Sequence, residues 1–272
     1  MTDRSIARLA ERAGEIAVTA GQAILEIYRR RDFEVVQKMD SSPLTEADLA
    51  SHRVIRDALA DLTPDIPLLS EESADVEHTV RSQWREYWLV DPLDGTKEFV
   101  NRNDEFTVNI ALIRDFEPAL GVVHVPVSGD TYSGIVGVGA TRRSAAGDVE
   151  PIRVKRPCAS PVRVVGSRSH ASPRLKEFLR QIGDYRLVSM GSSLKFCLVA
   201  EGRADFYPRL GPTSEWDTAA AQAVVVAAGG RVVTLDGRAL QYNRKASYLN
   251  PEFLVIGDAD RDWLSLFRDY RA

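Results

Sequence analysis

Tyr87-Trp88-Leu89-Val90-Asp91-Pro92-Leu93-Asp94-Gly95-Thr96-Lys97 decides how this chain is read. An apolar run of strand type ends in two carboxylates three residues apart, then a glycine and a hydroxyl, and a helix is expected from Lys97. Hard divalent cations take oxygen ligands, and Mg²⁺ usually keeps one or two carboxylates together with substrate phosphate oxygens. A strand end followed by a helix start also turns unpaired backbone N–H groups toward an anion. One short turn therefore offers metal ligands and a phosphate cradle together. The plainer reading of Asp94-Gly95 is an ordinary turn.

Working outward, Glu71-Glu72 closes the apolar segment Ile66-Pro67-Leu68-Leu69-Ser70. Asp217 opens Trp216-Asp217-Thr218-Ala219-Ala220-Ala221, a run that ends at Gly229-Gly230. Asp217 alone reads as an N-cap, a position that favours Asp and suits the helix macrodipole. Acidic residues recurring where apolar elements stop point instead to carboxylates gathered around metal ions.

These stretches resemble the signatures of the inositol monophosphatase superfamily: Asp91 to Thr96, Ser70-Glu71-Glu72, and Trp216 to Ala220 with Ala228-Gly229-Gly230. Lys38-Met39-Asp40-Ser41-Ser42-Pro43-Leu44-Thr45-Glu46-Ala47-Asp48, Lys97-Glu98-Phe99, Gly191-Ser192-Ser193-Leu194-Lys195-Phe196-Cys197 and Tyr207-Pro208-Arg209 are similar, more narrowly, to the bacterial 3'(2'),5'-bisphosphate nucleotidases. The likeness runs from about residue 5 to 257, with one departure at Ala221, where many relatives carry glycine. It implies a layered α-β-α-β-α sandwich of mixed α+β and α/β type, two coupled subdomains, and an active site between them. It further implies a Mg²⁺-dependent, lithium-sensitive phosphomonoesterase with two or three ions per site.

Bulk properties are compatible with this. The 272 residues suffice for one large domain or two coupled ones. With 44% hydrophobic and 27% charged residues the composition is that of a globular protein. A net charge of −4 argues against a nonspecific nucleic-acid binder, so an anionic nucleotide must be held by local cations. Cys158 and Cys197 give neither a disulfide framework nor a CxxC spacing, and Cys197 reads as a packed core residue. The charged N-terminus lacks the apolar region of a secretory signal, and no apolar run is long enough to span a bilayer. The expectation is a cytoplasmic protein without an integral membrane segment; peripheral association with the inner membrane and a homodimer are both compatible with it.

Apolar residues at helical spacing from Ile6 to Ile27 predict a long first helix closed by Arg29, Arg30 and Arg31. A strand is expected at 33–38, and Thr45-Glu46-Ala47-Asp48 fits a capping box opening a second helix. Strands are expected at 66–69, 87–90, 106–113, 119–125 and 131–138, with a hairpin at 115–118 and a loop over 140–147. Pro157 and Pro161 bracket the boundary between an N-terminal α+β part, 1–156, and a C-terminal α/β part, 157–272. There, strands at 162–165, 185–189, 205–207, 232–234 and 253–256 alternate with helices at 173–182, 194–201 and 217–228 before a last helix near 262–268.

By resemblance, Glu71, Asp91 and the Leu93 carbonyl hold the first metal, and Asp91, Asp94 and Asp217 the second. Glu71, Asp48 and Thr96 act in catalysis, with the Thr96 hydroxyl orienting water and Asp48 accepting its hydrogen bond. As local structure, Thr96 is a helix cap and Asp48 a member of the capping box. Gly95, Thr96, His170, Ser192, Lys195, Arg209 and Asp217 match substrate-contacting positions, Lys195 and Arg209 being suited to phosphate oxygens. On spacing alone Lys195 is a solvated helix charge and His170 exposed polar surface. His52, His78 and His124 lack metal-ligand spacing. No GxxxxGK[ST], HExxH or GxSxG motif occurs, and the glycines from 134 to 139 read better as a closely packed strand than as a dinucleotide loop.

The function expected from the resemblance is hydrolysis of adenosine 3',5'-bisphosphate (PAP) to AMP and phosphate, with PAPS to APS as a second reaction, in sulfate assimilation and nucleotide recycling. Within the same chemistry the rival is an inositol monophosphatase or a fructose-1,6-bisphosphatase-type sugar phosphatase. From another class, the rival is a silent nucleotide or metal sensor, against which the full set Glu71, Asp91, Asp94, Thr96 and Asp217 weighs. A Ca²⁺-binding structural module lacks the EF-hand spacing.

Overall fold

The periodic apolar stripe near the N-terminus becomes helix α1 (Asp3–Tyr28), with Ala13, Ala17, Ala20 and Ile24 fully buried. The computed structural model describes residues 3–30, 35–37, 43–166 and 173–270. After α1 come β1 (Val35–Gln37), β2 (Pro43–Thr45), α2 (Glu46–Leu62), β3 (Leu68–Ser70), α3 (His78–Arg81), β4 (Glu86–Asp94), α4 (Thr96–Val100), β5 (Thr107–Arg114), β6 (Glu117–His124), β7 (Thr131–Ile135), β8 (Gly139–Arg143) and β9 (Val149–Ile152). The second half supplies β10 (Val162–Gly166), α5 (Pro173–Ile182), β11 (Tyr185–Ser189), α6 (Leu194–Ala200), β12 (Phe206–Arg209), α7 (Glu215–Ala227), β13 (Arg231–Thr234), β14 (Phe253–Ile256) and a 3₁₀ turn, Leu264–Tyr270.

Strands β3 to β9 form one seven-stranded sheet in chain order, parallel only at β3–β4. A five-stranded sheet runs β11-β10-β12-β14-β13. Alternation along the strands assigns the layers. In β4, Trp88 and Val90 pack with α1 and α2, while Tyr87 and Leu89 face the other way, toward α6 and α7. The second sheet closes over α6 and α7 on one face and holds Phe178 of α5 and Phe267 on the other. The order is therefore helices, sheet, helices, sheet, helices, which is the expected α-β-α-β-α sandwich. The strand content of the two sheets divides between Ile152 and Val162, yet α7 belongs to the core of both.

Small residues set the depth of α7. Gly121 and Gly134 are register partners on β6 and β7. A Cβ on Gly121 would lie 2.1 Å from the Ala220 carbonyl oxygen, and one on Gly134 would lie 2.5 Å from Val224 Cα. The helix backbone thus rests directly on the sheet, which explains the alanines 219–221, Gly121 of β6 and Gly134 of β7 without any ligand. Gly121→Ala is expected to lift α7, destabilising the protein by about 1–3 kcal/mol as overpacking does, and to lower turnover by displacing Asp217. Thermal melts and kinetics check this; an unchanged melting temperature would contradict the close approach.

Some expectations fail. The strand expected at 131–138 ends with β7 at Ile135, and residues 136–138 are the turn, with Gly137 at φ +82°, that reverses the chain into β8. The first half of the loop expected at 140–147 belongs to β8, which pairs on its other side with β9, a strand that was not expected. The strands β8 and β9, at and next to the sheet edge, are short with one buried residue each, so period-two alternation is faint and only pairing reveals them. The last helix is a 3₁₀ segment from Leu264. The first helix ends at Tyr28, and of the strand at 33–38 only Val35–Gln37 is described. Cys158 and Cys197 are free, the latter buried. No described helix is long and apolar enough to cross a membrane.

Candidate active site

The parallel pair β3–β4 explains how Glu71 meets Asp91. Ser70 is the register partner of Val90, so Glu71, the residue that follows the end of β3, comes beside Asp91 of β4. Glu71 begins a short 3₁₀ turn and is half-buried, whereas Asp91 is 1% exposed.

A β-bulge brings Asp94 to the same face. In a regular strand, residues three apart point to opposite sides. Here Asp91 pairs with Asn109 and Asp94 with Thr107, three residues on β4 against two on β5. The extra residue restores the phase, so both carboxylates face α7 while Leu93 turns into the α1/α2 core. The Leu93 N–H donates to Asp91 Oδ1 at 3.0 Å across the bulge. Gly95 follows at φ +92°, where a side chain would press on the Glu105 carbonyl at 3.2 Å. That left-handed residue starts α4.

Asp217 sits in the first turn of α7 but is not its N-cap, as the local reading had it. Ser214 is the cap; its N–H donates to Asp217 Oδ2 at 3.0 Å, making Asp217 the third residue of a capping box. The helix dipole and Ser214 leave the second carboxylate oxygen to the cluster. For Asp48 the two rival readings coexist, because a carboxylate has two oxygens. Oδ2 accepts from Thr45 N–H at 2.8 Å and Thr45 Oγ1 at 2.6 Å, closing the capping box of α2. Oδ1 lies 3.2 Å from Thr96 Oγ1, which is also 3.3 Å from the Leu93 carbonyl. Thr96 is the first residue of α4, and it is Gly95 that stands at the cap.

The carboxylates feel one another's charge. Burial first, then the charges of Glu71, Asp94, Asp217 and Asp48, push Asp91 well above the ordinary carboxylate range. Asp217 is raised by burial and by Asp94 and Glu71. Asp94 rises to about 6, chiefly through burial, with Lys195 and the Ser193 N–H opposing the rise. Among the described residues no three such side chains form a ready-made metal cage; the carboxylates are held by hydrogen bonds of their own. Buried, mutually repelling, oxygen-only donors are nevertheless the chemistry a hard divalent cation neutralises.

The sign of the resulting pH dependence follows. A carboxyl whose folded value is raised binds protons more tightly in the native state, so stability falls as pH rises from about 4 through about 6. In chelator, the thermal advantage of Asp94→Asn over the unsubstituted protein is expected to be small at pH 4.5 and to grow by pH 7.5. An advantage independent of pH would refute the shift.

A cleft of about 600 Å³ joins the carboxylates to the second half. Lys195, on α6, is no solvated charge: it is 8% exposed, its ammonium is lowered to about 8 by burial against the pull of Asp94, and it lies 5.8 Å from the Tyr207 ring. Arg209, at the end of β12, donates to the carbonyls of Gly211 and Pro212 and lines the same cleft. Ser192 has φ +39°, and its buried Oγ has no hydrogen-bond partner among the described residues, an orphan that suits a polar ligand atom. His170 and residues 38–42 lie outside the described residues. His52 and His124 are buried and bonded to Ser70 and Thr131.

Sequence reading missed the residues behind Asp94. Ser193 N–H donates to Asp94 Oδ2 at 2.5 Å, Asn109 backs the same oxygen, and Glu105 accepts from Gly191 N–H at 2.7 Å. The available signal was Asn109, an amide inside the apolar run Thr107–Arg114.

The inositol monophosphatase family model matches residues 6–263. The 3'(2'),5'-bisphosphate nucleotidase CysQ of Escherichia coli strain K12 is 52% identical over 242 residues, 89% of this chain and 96% of its own length. That of Salmonella typhimurium strain LT2 is 50% identical over 246 residues, 90% and 98% respectively. CysQ from Bacteroides thetaiotaomicron superposes with a TM-score of 0.82 at 39% identity, covering 94% of this chain and 98% of that one. An inositol monophosphatase from Anabaena gives 0.75 at 26% identity, covering 96% and 95%.

Proposed function

The chain belongs to the inositol monophosphatase family, and within it we propose a 3'(2'),5'-bisphosphate nucleotidase that hydrolyses adenosine 3',5'-bisphosphate to AMP and phosphate, and PAPS to APS. One observation carries the choice of substrate. The cleft that opens on Asp94 and Asp217 is also lined by Lys195 and Arg209, so a carboxylate end suited to metal ions and a cationic end suited to a second phosphate share one space. The relatives named as bisphosphate nucleotidases, at 50% identity and above, support the same choice.

In this reading Glu71, Asp91, the Leu93 carbonyl, Asp94 and Asp217 hold two or three magnesium ions. Bound there, magnesium acidifies water and stabilises charge on the phosphoryl and leaving oxygens. The protein supplies direction. Thr96 Oγ1, donating to Asp48 Oδ1, keeps its lone pairs for the proton of the attacking water. As the water oxygen attacks phosphorus, that proton passes to Thr96 Oγ1 while the threonine proton moves to Asp48 Oδ1. The ester P–O bond breaks, its electron pair stays on the ribose oxygen, and that oxygen takes a proton from solvent water while Asp48 gives its own back to solvent, leaving the ribose hydroxyl and hydrogen phosphate. Lys195 and Arg209 hold the other phosphate, and Ser192 Oγ gains a partner.

The finer assignments that accompany this reading are a cytoplasmic enzyme, a homodimer, and residues 1–156 and 157–272 as two coupled subdomains. The deciding experiment compares kcat/KM for adenosine 3',5'-bisphosphate, inositol 1-phosphate and fructose 1,6-bisphosphate, with and without Mg²⁺. A clear preference for the nucleotide is expected, with no phosphate release in chelator. Preference for the cyclitol or the sugar ester would overturn the substrate, and metal-independent release would overturn the mechanism.

A further inference from the structure

Asn109 is 1% exposed on β5, among residues that otherwise alternate between two apolar layers. Its Oδ1 is 2.9 Å from Ser193 Oγ, which is 2.8 Å from Thr107 Oγ1. Its Nδ2 reaches Asp94 Oδ2 at 3.5 Å, the longest link of the series. A carbonyl oxygen cannot donate, so Ser193 donates to Asn109 and Thr107 must then donate to Ser193. The bonds therefore run in one sense, Thr107 to Ser193 to Asn109 to Asp94. The Ser193 backbone N–H ends on the same Asp94 oxygen at 2.5 Å. Asp94 Oδ1 has no protein donor among the described residues.

The far end of this knot is equally fixed. Gly191 N–H donates to Glu105 at 2.7 Å, and a Cβ on Gly191 would meet Glu98 Cγ at 2.8 Å and Glu105 Cβ at 2.9 Å. The turn 191–193, contributed by the second half of the chain, is thus anchored at both ends to residues of the first half.

We infer that Asn109 is a positioning residue for the metal site: with Ser193 it ties down one oxygen of Asp94 and so reserves the other for a cation. This rests on the metal-dependent reading above. Hydrogen bonds that orient a carboxylate ligand lower the entropy lost on metal binding and stop the ligand turning away.

The test titrates chelator-stripped protein with Mn²⁺ alone, following free Mn²⁺ by its electron paramagnetic resonance signal, for the unsubstituted protein, Asn109→Ala and Ser193→Ala. Asn109→Ala is expected to weaken Mn²⁺ binding by about tenfold to a hundredfold. Ser193→Ala keeps the backbone N–H on Asp94 and should weaken it less. The Mg²⁺ concentration for half-maximal turnover should rise in parallel, with kcat largely restored at saturating Mg²⁺, a rescue that a merely structural defect would not show. Unchanged Mn²⁺ affinity in both variants, or lost activity that no Mg²⁺ restores, overturns the inference. Should Asn109→Ala prove unfolded by circular dichroism, the Ser193→Ala titration decides. If the unsubstituted protein binds no Mn²⁺, the metal reading fails and this inference with it; normal binding there with unchanged variants overturns the inference alone.

Discussion

Asp91→Asn is expected to lower turnover by on the order of a thousandfold or more while raising the melting temperature of the metal-free protein. The two effects share a cause. Asp91 is buried among Glu71, Asp94, Asp217 and Asp48, so its charge is unfavourable unless a cation compensates it. Asparagine has nearly the same shape and still accepts the Leu93 N–H that closes the bulge. The repulsion disappears and the fold is kept, but one of the proposed metal ligands is lost. A gain of about 1 kcal/mol corresponds to roughly 2–4 °C in a protein approaching this size. Melting in chelator and in Mg²⁺, together with kcat, checks both halves: the variant should melt higher in chelator and gain little from Mg²⁺. A variant that melts lower in chelator while keeping its turnover would remove Asp91 from the centre of the cluster. The trade is the usual one at active sites, where stability is given up for chemistry.

The second large effect concerns Thr96 and Asp48, the pair proposed to orient water. Thr96→Val removes only a hydroxyl and is expected to cost about 10²–10⁴ in kcat, the range of general acid–base assistance, with little change in melting temperature. Asp48→Asn should act on both properties. An amide has one acceptor oxygen, whereas Asp48 serves Thr45 with one oxygen and Thr96 with the other. One contact must fail and the other loses the charge that strengthens it, so kcat falls and stability drops by about 1 kcal/mol, the usual worth of a cap. Loss of stability alone would leave Asp48 a capping residue only. Combining Asp48→Asn with Thr96→Val should cost little more in kcat than either change alone, since groups that act as a unit are not additive.

Much of this was legible beforehand. The α1 stripe, the alternating second half and the carboxylates at strand ends follow from periodicity and residue chemistry, and each of these elements is found within a few residues of its expected bounds. The short strands near the sheet edge were not legible, since β8 and β9 carry too few buried positions to show a period. Lys195 was read, on spacing alone, as a solvated charge, because helix spacing does not tell which face a second sheet will cover. Asn109 and Glu105 escaped notice because their partners, Ser193 and Gly191, lie more than eighty residues away in the chain.

The residue types and their order determined the chemistry on their own: oxygen donors, a hydroxyl, two cations, and apolar runs to carry them. Geometry did not follow from order. By strand phase Asp91 and Asp94 should point apart, and only pairing with β5 forces the bulge that turns both toward α7. Asp217 reaches them because two glycines let α7 lie against the sheet. Side-chain type is a local property, whereas strand register and helix depth are settled by contacts between distant segments, and it is these contacts that bring the scattered carboxylates into one another's electrostatic reach.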